Sequence, residues 1–261
     1  MFAYYTFSVR KNRYRCFVCG ASGGPIDLVM QYLHKDFLSA CKWLSEEHSV
    51  VIKVPQSRSL SLSKGQPKTF DASRYERFFQ RPFLSEEARR FLFTDRKLDA
   101  RVIAWCRLTS WRDKQGVPWL QVPYFDRSGR LIGIQNRNLV KGGSPRFRFS
   151  QGASCSIYNL PVLNLLHPGE TLFIAEGCSD AWSLMSAGHK AIAIPSATLL
   201  TRKDKELLSS LASSFSFAMY PDSDLPGERL FLQLQEVLPN LVRHQLPKGC
   251  KDFSDYYLLK R

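Results

Sequence analysis

The hydrophobic and polar positions of the last third of the chain alternate between two periodicities. Short apolar runs predict strands, and segments with a 3.6-residue period predict the helices between them. The predicted strands are 171–176, 190–195, 215–222 and 241–247, and the predicted helices are 179–187, 201–214, 225–238 and 251–261. Runs that are apolar throughout are typical of strands buried on both faces, and their alternation with helices indicates a mainly parallel sheet. We therefore expect an α/β domain over residues 169–261.

The middle of the chain, residues 71–168, has a mixed pattern. Two stretches with helical periodicity come first and three stretches with period-2 alternation follow, and these are 85–93, 99–108, 117–126, 129–139 and 145–152. The turn from Asp126 to Gly129 joins two of the alternating runs and predicts a hairpin. We expect an α+β lobe here, with Arg and Lys on its strands and loops.

Two further segments precede this lobe. Residues 52–70 are rich in Ser, Lys, Gln and Pro and follow neither period, so they predict a linker. Residues 1–51 contain aromatic residues, a Cys-x-x-Cys pair and a long helical run over 25–47. They indicate a small module with a hairpin and one or two helices.

Acidic residues follow two of the predicted strands in the last domain. Glu176 ends the first strand, and Asp222 and Asp224 end the third. The carboxyl ends of parallel strands meet at one edge of a sheet, where ligands bind in such folds, so three carboxylates can converge there. Such a cluster raises its own pKa values unless a cation neutralises it, and hard oxygen ligands select Mg²⁺. The alternative is a simple loop in which an Asp caps the following helix.

The charge balance favours a polyanionic partner. The chain has 37 Lys and Arg against 23 Asp and Glu, a formal charge of +14. Neutralising phosphates and releasing their counterions suits such a surface, although a positive charge can also serve solubility alone. The sequence has no apolar run as long as the ~18 residues that a transmembrane helix needs and no signal-peptide pattern, so we expect a cytoplasmic protein without a membrane partner.

Motifs in the last domain resemble the Toprim domain of bacterial and phage DNA primases. They are FIAEGCSDA at 173–181, MYPDSDLPG at 219–227 and KDFSDYY at 251–257. The resemblance implies that Glu176, Asp222 and Asp224 bind the catalytic divalent metal, Mg²⁺ or Mn²⁺. It also implies supporting roles for three further acidic residues, Asp180, Asp252 and Asp255. For Asp180 and Asp255 the alternative is a favourable charge near a helix N-terminus.

The resemblance extends upstream of this domain. VPYFDRSGRLIGIQNR at 122–137 is similar to the primase lobe that precedes Toprim, in which a basic, proline-containing stretch follows the second strand. By position, Arg137 and Arg146 match the basic residues that face the metal across the active-site groove. A guanidinium is well shaped for the phosphates of a template or of an incoming nucleotide. Lys141 and Arg148 are further candidates, and the alternative for this strand is a solvated edge.

The N-terminal segment TFSVRKNRYRCFVCGASGGPIDLVMQYL at 6–33 resembles the second half of the CHC2-type zinc-binding domain that begins these primases. In that family four ligands hold the zinc, and here Cys16 and Cys19 match two of them, with the other two expected before Met1. Structural zinc requires four ligands. The sequence therefore predicts a partial site, a longer reading frame that starts before Met1, or a module that has lost its zinc. His34, Cys41 and His48 lie nearby, but helical spacing dictates their positions. Aromatic and basic residues around the pair would still suit stacking on single-stranded bases.

The resemblance implies a DNA primase, a template-directed nucleotidyltransferase that makes short primers on single-stranded DNA from NTPs during DNA replication. We expect it to come from a phage or another mobile element. The sequence contains no GxxxxGK[S/T] motif, so a replicative helicase would be a separate protein. Two alternatives stay open: a Toprim nuclease or topoisomerase-type enzyme that uses the same acidic site, and an inactive remnant that binds single-stranded DNA.

Overall fold

The structure, a computed structural model, describes residues 5–8, 10, 12–16, 22–33, 35–48, 69–153, 156–195 and 200–261. The chain divides into two compact units, Met1–Gly65 and Gln66–Arg261. The division lies within the segment that the sequence predicts as a linker, 52–70. No described helix has the length and apolar character that crossing a lipid bilayer requires.

The first unit is a small antiparallel sheet followed by two helices. Its elements are β1 (Tyr5–Ser8), β2 (Arg13–Cys16), β3 (Ser22–Gly23), α1 (Pro25–Tyr32) and α2 (Phe37–Glu47). Pro25 opens α1 because a residue at the first helical position needs no backbone N–H donor. Asp36 caps α2, and its Oδ1 accepts a hydrogen bond from the Ser39 amide at 2.9 Å. These local signals explain the breaks between the elements.

The second unit begins with several short helices, and an antiparallel sheet of four described strands follows them. The helices are a 3-10 turn (Ala72–Arg74), α3 (Glu76–Gln80), α4 (Glu86–Arg89), a π-helix (Arg90–Asp95) and α5 (Ala100–Trp105). The strands lie in the order β4 (Thr109–Arg112), β5 (Pro118–Phe125), β6 (Leu131–Asn138) and β7 (Phe147–Phe149).

A parallel sheet follows in the same unit, with helices between its strands. Its described strands are β8 (Thr171–Glu176), β9 (Lys190–Ile194), β10 (Ser216–Met219) and β11 (Val242–Arg243), in the order β11-β10-β8-β9. A 3-10 helix (Leu160–Leu165) precedes them, and their helices are α6 (Cys178–Ser186), α7 (Arg202–Leu211), α8 (Leu225–Gln235) and α9 (Phe253–Leu259). The alternation of strands and helices is the one that the periodicity predicts.

Burial on both faces of β8 explains why its sequence is apolar throughout. Leu172 and Ile174 belong to one core, which α7 and α8 complete. Phe173 and Ala175 point to the other face and join a second core. That second core also contains Trp182 of α6 together with inward-facing residues of β5, so it holds the antiparallel and parallel sheets together.

The structure differs from the sequence predictions at several places, and the strand predicted over 145–152 is reduced to β7. The helix predicted over 85–93 is α-helical only to Arg89 and continues as the π-helix. The strand predicted over 241–247 is reduced to β11, a short edge strand. The strand β4 is not predicted, because Thr109 and Ser110 are polar but buried, their hydroxyls bonded to backbone atoms of residues 83–85.

Candidate metal centre and active-site groove

Parallel pairing places the acidic strand ends side by side. In the register of β8 and β10, Ile174 lies opposite Met219. Glu176 is two residues beyond Ile174, and Asp222 is three residues beyond Met219. Both therefore emerge at the same edge of the sheet, although 46 positions separate them along the chain.

Glu176, Asp222 and Asp224 form a compact carboxylate cluster. Each offers one ligand oxygen, and the three oxygens all lie within 4.8 Å of one another. All three side chains are half-buried. The cluster therefore has the spacing at which a single cation can contact every member.

Asp224 has a second structural role in this loop. It is the N-cap of α8, and its Oδ1 accepts a hydrogen bond from the Gly227 amide at 3.1 Å. Its Oδ2 lies 3.5 Å from Nζ of Lys251. The helix-capping interpretation of this motif is therefore correct for Asp224, and it is compatible with a ligand oxygen in the cluster.

Two glycines make the close approach of these loops possible. Gly177, immediately after Glu176, has a φ of +87°, a left-handed conformation that a side chain would strain. A Cβ added at Gly227 would lie 2.5 Å from the carbonyl oxygen of Asp222. The first turn of α8 can therefore contact the Asp222 backbone only because residue 227 has no side chain.

Burial and mutual repulsion act on the carboxylates of this edge. Burial first, and then the charges of Asp180, Glu176, Asp252 and Asp224, raise the pKa of Asp222 to about 8. Asp222 therefore resists ionisation, and a bound cation would remove the penalty. Three carboxylate oxygens are the donors that Mg²⁺ and Mn²⁺ prefer, so the residues present fit a hard divalent cation.

Asp180 lines the same groove and links two helices. It is buried on α6, and its Oδ1 accepts hydrogen bonds from the amide and the hydroxyl of Ser254, each at 2.8 Å. Burial, followed by the charge of Asp252, raises the pKa of Asp180 to about 7. Asp180 thereby links α6 to α9, at whose N-terminus Asp252 is the cap.

Arginines also line the groove that includes this edge. The groove is a cavity of about 260 Å³, and Arg96, Arg137, Arg146 and Lys251 line it together with Glu176 and Asp222. Arg137 comes from β6 and is half-buried. Its burial, and then the charges of Arg96 and Arg146, lower the pKa of Arg137 to about 10. The groove is therefore lined by both negatively and positively charged side chains.

The predicted supporting residues divide between the groove and its surroundings. Asp180 and Asp252 line the groove, but Lys141 and Asp255 do not, and Asp255 accepts a hydrogen bond from the Lys251 amide at 3.0 Å. Arg148 lies on the other face of the antiparallel sheet. Its guanidinium carbon is 3.8 Å from the ring centre of Trp119, a cation–π contact that explains its position.

Sequence reasoning missed two groove residues, Arg96 and Lys251. Arg96 lies just after the π-helix, beyond the end of the predicted helix over 85–93. Lys251 precedes Asp252, and its carbonyl oxygen accepts a hydrogen bond from the Ser223 amide at 2.7 Å. A basic residue directly before a motif acid was the available signal for Lys251, and the pattern around Arg96 offered none.

The predicted zinc ligands lie largely outside the described part of the chain. Cys19, His34 and the Cys16 side chain are not among the described atoms, although the Cys16 backbone ends β2. Cys41 is a half-buried free thiol on α2, and His48 is its exposed C-terminal cap.

Comparisons with known proteins match both units. Residues 3–59 match the CHC2 zinc finger family model. The DNA primase of Clostridium acetobutylicum is 24% identical over 89% of this chain and 46% of its own length. Among solved structures, the zinc-binding and RNA polymerase domains of Aquifex aeolicus primase align with 98% of this chain and 72% of that chain, with a TM-score of 0.58 and 18% identity.

The resemblance to bacterial and phage DNA primases is confirmed. A DnaG primase catalytic domain bound to single-stranded DNA gives a TM-score of 0.52 at 20% identity and covers 73% of this chain and 74% of that chain. At such identities the structural matches establish a shared primase-core fold. The chain spans less than half the length of the curated primases that it matches.

Proposed function

We propose that this chain is a DNA primase-type nucleotidyltransferase, which synthesises short primers from NTPs on a single-stranded DNA template. The observation that carries the proposal is the groove, which Glu176 and Asp222 of the carboxylate cluster line together with Arg96, Arg137 and Arg146. Primer synthesis needs both features, because a polyanionic nucleotide must be held while its reacting phosphate is neutralised.

In this proposal the parallel sheet over 169–261 is a Toprim domain, and residues 71–168 are the lobe that completes the groove. The three clustered carboxylates hold a divalent cation, Mg²⁺ or Mn²⁺. When bound, the cation supplies charge neutralisation at the reacting phosphate and a template for the attacking 3′ hydroxyl. Asp180 joins α6 to α9 through Ser254, and Asp252 caps α9.

The arginines of the groove have a complementary role. The guanidinium groups of Arg96, Arg137 and Arg146 bind phosphates of the incoming nucleotide and of the strand being copied, since a planar fork suits a phosphate better than a point charge does. Lys251, whose Nζ lies 3.5 Å from Asp224, joins the basic residues of the groove to the carboxylate cluster. The net charge of +14 supports recruitment of DNA by the whole surface.

The N-terminal unit is proposed as a DNA-binding module of CHC2 type. Cys16 and Cys19 have the spacing of one half of a four-ligand zinc site. Zinc measured in the purified protein, and its loss from a Cys16→Ser variant, tests this assignment. We further propose that a replicative helicase delivers the template.

A primer-synthesis assay tests the main proposal. Purified protein is incubated with single-stranded template, labelled NTPs and Mg²⁺, alongside Asp222→Ala and a control, Lys141→Ala, which changes an exposed charge outside the groove. De novo oligonucleotides from wild type and Lys141→Ala, absent with Asp222→Ala, support the proposal. Metal-dependent scission of the template would indicate a nuclease instead. DNA binding with neither product would indicate a remnant without activity.

A further inference from the structure

One aromatic side chain contacts two arginines of the groove. The guanidinium carbon of Arg137 lies 4.6 Å from the ring centre of Phe91, and that of Arg96 lies 5.6 Å from the same centre. Both distances fall within the roughly 6 Å range of a favourable cation–π contact. Phe91 does not itself line the groove, and its ring packs against the core that joins the two sheets. The Phe91 ring therefore packs against the core and contacts two guanidinium groups.

The π-helix brings Phe91 and Arg96 together. The Arg96 amide donates a hydrogen bond to the Phe91 carbonyl oxygen at 3.0 Å, a bond between residues five apart. In a regular α-helix, residues five apart are turned by about 140° from each other and do not meet. The wider turn of the π-helix places them on one face, and such turns are often found at functional sites.

The arrangement continues among the arginines of the groove. Phe147 of β7 contacts Arg137 and Arg146, each with its guanidinium carbon 5.3 Å from the ring centre. Arginine and phenylalanine thus alternate from Arg96 through Phe91, Arg137 and Phe147 to Arg146. Like charges at this spacing repel one another, and the electron-rich ring faces offset part of that repulsion.

An aliphatic side chain would fill the same space without this effect. A leucine at position 91 offers no quadrupole, so the two guanidinium groups would separate toward solvent. The two guanidinium groups would then no longer be placed to bind one phosphate together, and phosphate binding would weaken. The ring, rather than apolar volume alone, is what the arrangement requires.

We propose that Phe91 is a positioning residue, which holds the Arg96 and Arg137 guanidinium groups as a pair that binds phosphate oxygens. The inference rests on the proposed function for its biological meaning, but phosphate binding can be measured without catalysis. Nucleotide phosphates and strand phosphates share this chemistry. Inorganic tripolyphosphate and a single-stranded oligonucleotide separate the two sources.

The experiment compares Phe91→Leu, Phe91→Tyr and Phe93→Leu in the full chain. Phe93→Leu is the matched control, because it removes a ring from the same π-helix that contacts Arg89 outside the groove. Affinity for each probe is measured by calorimetry at fixed Mg²⁺, and thermal unfolding shows that each variant is folded. Phe91→Leu should bind at least one probe about threefold to tenfold more weakly. Phe91→Tyr and Phe93→Leu should bind like wild type.

A second measurement separates positioning from packing. In an Arg137→Lys background, which lacks the planar fork, Phe91→Leu should cost clearly less affinity than it does in wild type. Equal losses in both backgrounds, or a Phe91→Tyr variant as weak as Phe91→Leu, would overturn the inference. Unchanged binding of both probes by Phe91→Leu would also overturn it. If Phe91→Leu weakens probe binding as expected but wild type makes no primers, the proposed function fails and the positioning role stands.

Discussion

The acidic cluster should destabilise the protein when no metal is bound, and Asp222→Asn tests this directly. The substitution keeps the shape of the side chain and removes its charge. Asp222 has a pKa raised from 3.8 to about 8, first by burial and then by the neighbouring carboxylates. The folded protein therefore binds a proton at this position more tightly than the unfolded chain does. The stabilisation that this tighter proton binding gives the folded protein is complete below about pH 4 and is lost as the pH rises toward 8.

The magnitude follows from the same shift. Between the normal pKa of 3.8 and pH 7 the penalty grows by about 1.4 kcal/mol per pH unit, which gives roughly 4 kcal/mol as an upper bound. Solvent reaches the half-buried side chain and halves this to about 2 kcal/mol. For a unit of this size, about 2 kcal/mol corresponds to a melting temperature higher by roughly 4–8 °C for Asp222→Asn at pH 7 in EDTA.

The assay is thermal unfolding at pH 7 and pH 4.5, with EDTA or with Mg²⁺. We expect the difference between Asp222→Asn and wild type to shrink at pH 4.5, because this pH is close to the unfolded-state pKa of 3.8 and protonating Asp222 on folding then costs little. Mg²⁺ should raise the melting temperature of wild type more than that of the variant. Glu206→Gln, an exposed position on α7, is the control and should change little. An Asp222→Asn melting temperature at or below that of wild type at pH 7 in EDTA would refute the reasoning.

Two further predictions concern the shape and the charge of the groove. Gly227→Ala places a Cβ 2.5 Å from the Asp222 carbonyl oxygen, so it should destabilise the protein by about 1–3 kcal/mol in thermal unfolding and weaken its stabilisation by Mg²⁺. Arg137→Ala should weaken single-stranded DNA binding and lower the slope of its salt dependence by about 1. The control, Arg148→Ala, loses a contact with Trp119, so it should leave that slope unchanged and lower the stability of the protein by about 1 kcal/mol.

The parallel sheet was predictable because its burial leaves a direct mark on the sequence. Strand β8 is apolar at successive positions, since Leu172 and Phe173 face different cores. The same reasoning predicts that Glu176 and Asp222 lie at the same edge of the parallel sheet, and the pairing of β8 with β10 places them there. The acidic side of the site therefore follows from local patterns and the topology of parallel strands.

The basic side of the groove depends on features that periodicity does not record. A π-helix has no hydrophobic repeat of its own, so the pattern around Phe91 indicates an ordinary helix that ends before Arg96. Strand β4 is hidden for another reason, because its buried positions Thr109 and Ser110 are satisfied by hydrogen bonds to distant backbone atoms. The π-helix depends on an irregular backbone, and β4 depends on hydrogen bonds between segments that are remote in sequence. Hydrophobic periodicity records neither.

The directions of the pKa shifts distinguish the groove from a structural ion pair. Arg243 and Glu228 bind each other at 2.6 Å, and the pair raises the pKa of the arginine and lowers that of the glutamate, so each partner stabilises the other's charge. In the groove the directions are reversed, since the pKa of Asp222 is raised and that of Arg137 is lowered. Burial and like charges therefore leave Asp222 and Arg137 without full charge compensation, although Lys251 lies 3.5 Å from Asp224. A cation at Asp222 and a phosphate at Arg137 would supply it, and a metal–nucleotide complex brings both together.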